Sequence, residues 1–203
     1  MIVRLALWAR PILEWPLIQT VRRNHGLEHA TIHLLSRKIR GLKMSGRSSA
    51  FGFILIGEAP TDQIESSVRD ALSRMKKGEH GLAVHPNCGT NLVTSGVLAT
   101  LAAYLGLGLR RERIFGSRFG GVMGMMVLAF LVGQPLGMSI QRHFTTDGDP
   151  GDLELVSVTR REVMLPVVAR RLVIHDVVTR SAANGTVAST VTSAVNGTDG
   201  NHA

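Results

Sequence analysis

The sequence contains little cysteine, few aromatic residues and few charges. A single cysteine, Cys88, among 203 residues excludes an internal disulfide framework and any metal site built from cysteines alone. Aromatic residues make up 4% of the chain, which leaves few platforms for base stacking and argues against binding of single-stranded nucleic acid. Charged residues at 19% and apolar residues at 44% are typical of a folded chain, and the length allows one domain or two small ones.

The charge that is present has one dominant sign. Lys and Arg number 23 against 15 Asp and Glu, a net charge of +8, and the pI is about 10.9 with a mean hydropathy of +0.16. A basic patch over Arg37–Arg47 could contact nucleic-acid phosphates. Anionic lipid headgroups are the simpler target in a chain this apolar. We therefore expect membrane lipid as a partner and no nucleic acid.

Two segments carry no charge and are strongly apolar, Asn91–Leu109 and Phe119–Gln141. At the rise of an α-helix they would span about 28 and 35 Å, against a hydrocarbon core of about 30 Å. They predict a transmembrane helical hairpin over 91–141, hence an integral protein of the bacterial inner (plasma) membrane. A buried helical hairpin of a soluble protein is the alternative. Glycines spaced by four (Gly120/Gly124 and Gly133/Gly137) favour close helix packing, within the hairpin or in a homo-oligomer.

The orientation of the hairpin in the membrane stays open. The connector Arg110–Arg118 carries four arginines, which favours the cytoplasmic side for the connector. A free cysteine near histidines fits a reducing compartment better, and on that ground we assign the soluble domain to the cytosol.

Residues 1–19 predict an interfacial amphipathic segment at the amino end. Trp8 and Trp15 would lie at the level of the headgroups, and Arg4 and Arg10 would face lipid phosphates. The alternative is an ordinary edge of the soluble domain.

Residues 20–90 predict the soluble domain itself. A helix is expected over Thr20–Ile39, followed by a turn-rich stretch at Ser45–Ser49 and a buried strand at Ala50–Gly57. A second helix, capped by Thr61, is expected over Pro60–Lys77, and a short second strand at Leu82–His85. Such an order is a β-α-β unit, and with the hairpin it makes an α+β protein. Residues 142–180 predict an extended region with a strand at Leu153–Thr159, followed at Val163–Val178 by either a strand pair or an interfacial helix. Residues 181–203 predict a disordered tail.

The first motif that could carry chemistry is His25-Gly26-Leu27-Glu28-His29, which fits the inverted zinc-peptidase pattern H-x-x-E-H. On a helix, His25 and His29 lie one turn apart on the same face, so both imidazoles can reach one metal ion. Glu28 lies beside them and could accept a proton from water at the metal. His33 continues the same row one turn further on. The alternative is a basic helix that carries three histidines and binds no metal.

The second motif is the loop His85-Pro86-Asn87-Cys88-Gly89-Thr90-Asn91, between the predicted second strand and the first apolar segment. Neutral imidazole and thiolate are good ligands for Zn²⁺. The alternative is a buried cysteine that packs as a small apolar residue beside a surface histidine. Together the two motifs predict a zinc site with His25, His29, His85 and Cys88 as ligands.

The segments NHGLEHATIH and HPNCGTN together resemble bacterial membrane-protein families of unknown function. Those families carry a His-Gly-x-Glu-His segment and a later His-Pro-x-Cys-Gly-Thr loop that precedes transmembrane helices. The resemblance implies a metal-dependent membrane protein. It places the metal site at five positions, which are His25, Glu28, His29, His85 and Cys88. It implies no substrate.

The number of ligands separates the functions that such a site can have. Three ligands (His25, His29 and either His85 or Cys88) leave a fourth position for water, and Glu28 then acts as general base of a zinc-dependent hydrolase, peptidase-like in its motif. Four ligands close the site, which then serves a membrane scaffold or adaptor, with Glu28 accepting a hydrogen bond from an imidazole. A third alternative is metal-free, with Cys88 as a reactive thiol. We expect the hydrolase.

Overall fold

The computed structural model describes the backbone of residues 1–108, 115–165 and 170–183, and the side chains of 1–106, 119–164 and 171–183. The described elements are six α-helices, four strands and two short irregular helices. The α-helices are α1 (Ile2–Trp8), α2 (Arg10–Leu13), α3 (Pro16–Lys38), α4 (Thr61–Lys76), α5 (Gly89–Gly108) and α6 (Phe115–Ile140). The strands are β1 (Ser45–Ser49), β2 (Gly52–Ile56), β3 (Glu154–Leu165) and β4 (Arg170–Arg180). A 3₁₀ helix spans His80–Ala83, and a π-helical turn over Gln141–Thr145 continues α6.

The four strands form one antiparallel sheet in the order β1-β2-β4-β3. Two hairpins build it. The first joins β1 to β2, with Ser48 opposite Phe53, and the second joins β3 to β4. The hairpins meet between β2 and β4, where Leu55 lies opposite His175. The predicted strand at Leu153–Thr159 is confirmed as the first half of β3, and the strand-pair alternative holds for the region that follows it.

The mixed helix and sheet composition is as predicted, but the β-α-β unit is wrong. Leu82–His85 is not a strand, since residues up to Ala83 belong to the 3₁₀ helix. The two partners of β2 are instead β1 and β4. The turn-rich stretch Ser45–Ser49 is itself a strand, β1. Its sequence SGRSS has no apolar periodicity, so only pairing with β2 makes it extended.

The core lies between the sheet and two helices, α3 and α4. The apolar face of α4 predicted from its spacing is confirmed, because Ile64, Val68 and Met75 are fully buried. They pack in one cluster with Leu27, Ala30, Leu34 and Leu35 of α3 and with Phe53, Leu55 and Val177 of the sheet. The N-cap residue of α4 is Pro60 rather than Thr61, and it makes no side-chain capping hydrogen bond.

Helix α3 approaches the loop after α6 so closely that one position has no room for a side chain. A Cβ atom built on Gly26 would collide with the backbone carbonyl oxygen of Asp147 and would lie 3.1 Å from the Cβ of Ala83. Asp147 is itself held against α3 by a backbone hydrogen bond, since its N–H donates to the Arg22 carbonyl at 3.0 Å. Gly26 is therefore required by packing.

We expect Gly26→Ala to lower the free energy of unfolding by about 1–3 kcal/mol, because the added methyl group forces α3 away from a backbone that cannot yield. Helix propensity alone predicts the opposite sign, a gain of about 1 kcal/mol. Thermal unfolding in detergent measures the difference. Gly81→Ala is the matched control, since a Cβ there meets nothing within 4 Å. A Gly26→Ala protein as stable as this control would contradict the packing argument.

Helices α5 and α6 pack against each other through small residues. A Cβ on Gly133 would lie 2.9 Å from the Cα of Ser95, and one on Gly137 would lie 2.9 Å from the Cα of Asn91. The close packing expected of the Gly133/Gly137 pair is therefore confirmed. At Gly120 and Gly124 a Cβ would meet no described atom within 4 Å.

One helix in the described part of the chain, Phe119–Thr145, is long and apolar enough to cross a membrane. Its side chains are mostly exposed in the protein, including Leu128 and Leu131 at 60% and 67%. A transmembrane role for α5 stays a prediction. Most of the connector, residues 109–114, lies outside the described residues.

The first two helices, α1 and α2, bury none of their side chains. The predicted amphipathic segment is helical as α1, α2 and the start of α3, and Trp8 and Trp15 are exposed. Its membrane contact stays a prediction. Of the predicted tail, Ser181 is described and buried, whereas 184–203 lie outside the described residues.

Candidate metal centre

Helix α3 and the loop before α5 bring three of the predicted ligands together. One ligand atom each from His25, His29 and Cys88 lies within 4.8 Å of the other two, and Cys88 Sγ is 3.8 Å from His25 Nε2. A tetrahedral zinc ion with bonds of about 2.0–2.3 Å keeps its ligand atoms roughly 3.3–3.8 Å apart. The cluster can therefore hold a metal ion after small side-chain shifts.

Both imidazoles are oriented through the ring nitrogen that faces away from the cluster. His25 Nδ1 lies 2.9 Å from the Thr145 carbonyl oxygen, and His29 Nδ1 lies 3.0 Å from the Ala83 carbonyl oxygen. A carbonyl only accepts, so Nδ1 carries a proton, and in the neutral form of each ring Nε2 presents a lone pair. Metal-binding histidines in proteins are held in this way.

Cys88 reaches the cluster from the start of α5, whose first residue is Gly89. The Thr90 backbone N–H donates to its Sγ at 3.4 Å. Burial acts to raise the pKa of the Cys88 thiol, but His29 and the hydrogen bonds from Thr90 outweigh that effect and bring the pKa below its ordinary value. A helix N-terminus favours thiolate in the same way.

His85, the fourth predicted ligand, lies next to the three-residue cluster. Its ring centroid is 6.4 Å from that of His29 and 6.2 Å from that of His33. The Asn87 backbone N–H donates to its Nδ1 at 3.1 Å, so in the neutral ring the proton is on Nε2. Burial, and secondarily the charge on His33, lower the pKa of His85, which favours that neutral ring.

Glu28, the predicted general base, is buried beside the cluster with 4% of its surface exposed. The Ser48 hydroxyl donates to its Oε2 at 2.5 Å, and Gly46 abuts its carboxylate so closely that a Cβ there would collide. Burial raises the pKa of Glu28, opposed by the Ser48 hydrogen bond and by His25. The H-x-x-E-H motif predicted where Glu28 lies on the helix. The contacts of its carboxylate with Gly46 and Ser48 of β1 are tertiary and could not be predicted from the motif.

Gln141, which was not among the site residues predicted from the sequence, holds the second motif in place. Gln141 is fully buried, and its amide binds both backbone groups of His85. The His85 N–H donates to Oε1 at 2.5 Å, and Nε2 donates to the His85 carbonyl at 3.0 Å. One feature of the sequence could have indicated this role. Gln141 is a polar amide at the end of the apolar segment Phe119–Gln141, and burying an amide without a hydrogen-bond partner there would be costly.

Arg22 of α3 binds the segment Phe144–Thr146, which carries the carbonyl that orients His25. Its guanidinium donates to the backbone carbonyls of Phe144 and Thr146 at 2.9 and 3.1 Å. Thr145, which orients His25, lies between these two acceptors. The orienting carbonyl is therefore held in place by the same helix that carries the histidine.

A cavity of about 510 Å³ opens next to the cluster, within the usual range of about 300–1,000 Å³ for ligand pockets. His25, His29, Cys88, Glu28 and His85 all line it. The remaining wall comes from α3 and the segment that leads into β1, through Ile32, Ser36, Leu42, Met44, Ser45 and Gly46, together with Asn87 and Gly89. The cluster can therefore be reached by a small molecule or by a segment of polypeptide.

Comparison with known proteins gives a family. Residues 20–158 match a family described as a domain of unknown function, DUF6391. An uncharacterised protein of Picosynechococcus sp. is 31% identical over 140 residues, which cover 62% of this chain and 65% of that protein. The chain thus matches somewhat less than two thirds of that relative. No solved structure matches the chain. Because the family match covers more than half of the chain and includes both motifs, the protein belongs to the DUF6391 family.

Proposed function

We propose that this protein is a membrane-anchored, zinc-dependent hydrolase, with His25, His29 and Cys88 as ligands and Glu28 as general base. One observation carries the proposal. Two imidazoles and a thiol converge at the wall of an open cavity, with both imidazoles oriented by backbone carbonyls. Cavities lined by convergent ligands of this kind are typical of catalytic metal sites.

The choice of zinc follows from the ligands. Two imidazoles and one thiolate are a mixed nitrogen and sulfur set, which tetrahedral Zn²⁺ accepts. Three protein ligands leave one position for a water molecule. Zinc held there would lower the pKa of such a water to about 7.

Glu28 and His85 supply the proton chemistry around that position. Glu28 lines the cavity next to both histidines and would accept the proton that the attacking water loses. His85, with its proton on Nε2, would donate a hydrogen bond to the oxygen on which negative charge develops. The reaction adds water across an acyl bond, and the proton held by Glu28 passes to the leaving group.

The main alternative is a closed structural site with His85 as fourth ligand. The His85 ring is near enough to favour it, at 6.4 Å from His29 between centroids. To bind zinc, however, His85 would have to move its proton from Nε2 or give up the hydrogen bond from Asn87 to Nδ1. Either change has a cost that the three-ligand site does not have.

The proposed setting is the bacterial inner membrane, with α5 and α6 crossing it and the soluble domain in the cytosol. Support comes from the length and exposure of α6, and from the exposed tryptophans of the amino-terminal helices. Anionic lipid headgroups would then contact the basic patch over Arg37–Arg47. The open face at Gly120 and Gly124 would allow a second copy to pack against the hairpin.

Zinc content tests the proposal at its first step. We expect the full chain, purified in detergent and refolded with Zn²⁺, to retain about one equivalent after gel filtration, as a single mononuclear site requires. Replacement by Co²⁺ should produce the near-ultraviolet absorption band of a thiolate bound to cobalt. A chain that stays metal-free would exclude both the zinc hydrolase and the structural zinc site. The metal-free alternative, with Cys88 as a reactive thiol, would then remain.

A further inference from the structure

Strand β1 is an edge strand, and the cavity beside the metal centre reaches that edge. In the described part of the chain, β2 is the only strand that pairs with β1. The cavity is lined by Ser45 and Gly46 in succession. Consecutive residues of a strand point to opposite faces, so a cavity lined by both reaches β1 at its start rather than on one face alone.

The same edge is tied to the general base. Gly46 and Ser48 lie on the face of β1 that meets α3, and both contact the Glu28 carboxylate. Since an edge strand pairs on one side only, every second residue directs its N–H and C=O away from β2. A chain that paired with these groups would run past Glu28 and along the wall that holds His25 and His29.

We infer that the substrate of the proposed hydrolase is an extended polypeptide that binds as an additional strand on β1, with the amide to be cleaved placed at the His25–His29–Cys88 centre. This inference rests on the proposed function. Backbone pairing to a sheet edge is a common mode of peptide recognition, in which main-chain hydrogen bonds provide affinity and pockets for alternate side chains provide specificity.

The two faces of β1 predict which side chains the substrate carries. On the α3 side, Ile32, Leu42 and Met44 line the cavity and would receive apolar side chains. Arg47 of β1 and Lys43, two residues before the strand, are exposed and would lie beside acidic side chains. A strand that alternates apolar and acidic residues satisfies both faces.

The chemical step is ordinary amide hydrolysis. The oxygen of water forms a bond to the carbonyl carbon, and Glu28 takes the proton that water loses. The C–N bond then breaks, and the proton from Glu28 passes to the departing nitrogen. The products are a carboxylic acid, which loses its proton to solvent at neutral pH, and an amine, and no oxidant or further reactant is needed.

Binding to a β-edge is tested with a peptide of eight residues that alternates Leu and Glu and carries a fluorophore. The protein is the zinc-loaded full chain with Glu28→Gln, which binds without cleaving. N-methyl groups are introduced one backbone nitrogen at a time, and affinity is measured by anisotropy. We expect every second methyl group to weaken binding by about two- to tenfold, the effect of one lost hydrogen bond. Uniform losses, or no binding at millimolar peptide, would overturn the inference.

Charge reversal on β1 supplies an independent measurement. Arg47→Glu should weaken binding of the same peptide about two- to fivefold, whereas Lys76→Glu at the exposed end of α4 makes the same charge change away from β1 and should leave binding unchanged. Equal effects of the two variants would show that net charge alone attracts the peptide, and would contradict pairing on β1.

A small ester separates this inference from the function on which it rests. The zinc-loaded wild type should hydrolyse 4-nitrophenyl acetate, which is too small to pair with a strand. Ester hydrolysis that depends on Glu28, without peptide binding, would overturn the polypeptide substrate and keep the hydrolase. Alternating peptide binding without any hydrolysis would overturn the hydrolase and keep β1 as a peptide-binding edge.

Discussion

Replacing His29 by alanine is expected to weaken zinc binding by well over about 100-fold, more than the loss of an outer hydrogen-bond partner produces. One of three ligands is removed, and the remaining imidazole and thiol cannot enclose the ion. Competition with a chromophoric chelator measures the affinity. Cys88→Ser should in addition abolish the thiolate band of the cobalt-loaded protein, because oxygen replaces sulfur at that ligand position.

His33→Ala is the matched control for that experiment. His33 lies one turn further along α3 and faces the His85 ring at 6.2 Å between centroids, but it does not belong to the three-residue cluster. Zinc affinity should be nearly unchanged in this variant. Full-affinity binding by the His29→Ala chain, or equal losses in both variants, would show that the metal is bound elsewhere.

Glu28→Gln is expected to keep zinc at full affinity and to lower the turnover of 4-nitrophenyl acetate by about 10²–10⁴-fold, the usual contribution of a general base. Glutamine has the same shape and can still accept the hydrogen bond from Ser48, so the fold around β1 should persist. The amide cannot take up the proton from water. Steady-state hydrolysis by the zinc-loaded protein gives the ratio.

The control for the second prediction is Glu65→Gln. Glu65 is partly exposed on α4, pairs with Arg69 at 2.7 Å and does not line the cavity, so its substitution makes the same change of charge away from the site. Undiminished hydrolysis in the Glu28 variant would exclude Glu28 as base. Zinc binding in both variants without hydrolysis in the wild type would favour the structural site and a scaffold role.

These experiments test a site that the sequence predicted only in part. The H-x-x-E-H pattern placed His25 and His29 on one face because four residues make about one helical turn, a relation that needs no knowledge of the rest of the fold. The apolar face of α4 was predicted for the same reason, and its burial is confirmed. The small-residue spacing of Gly133 and Gly137 predicted the close contact with α5.

The failures concern relations between segments far apart in the chain. A β-α-β unit was expected because β2, α4 and a short apolar run follow each other. Strand β2 pairs instead with β1 and with β4, and β4 comes more than a hundred residues later. Pairing of strands depends on which edges the packed helices leave free, and a single sequence does not show this. The polar strand β1 was missed because its extended form depends on its partner.

The sequence by itself determined the donors: two imidazoles and a carboxylate on one helix, and the lone cysteine beside an apolar helix. Their helical spacing is local, and local geometry follows from backbone hydrogen bonding. Only the tertiary structure decided that Cys88 joins His25 across 63 positions of the chain, and that His85 stands aside with its Nδ1 bound to Asn87. The packing of α3 against the loops around α5 and α6 made that choice, because it set where the orienting carbonyls and the Gln141 amide could lie.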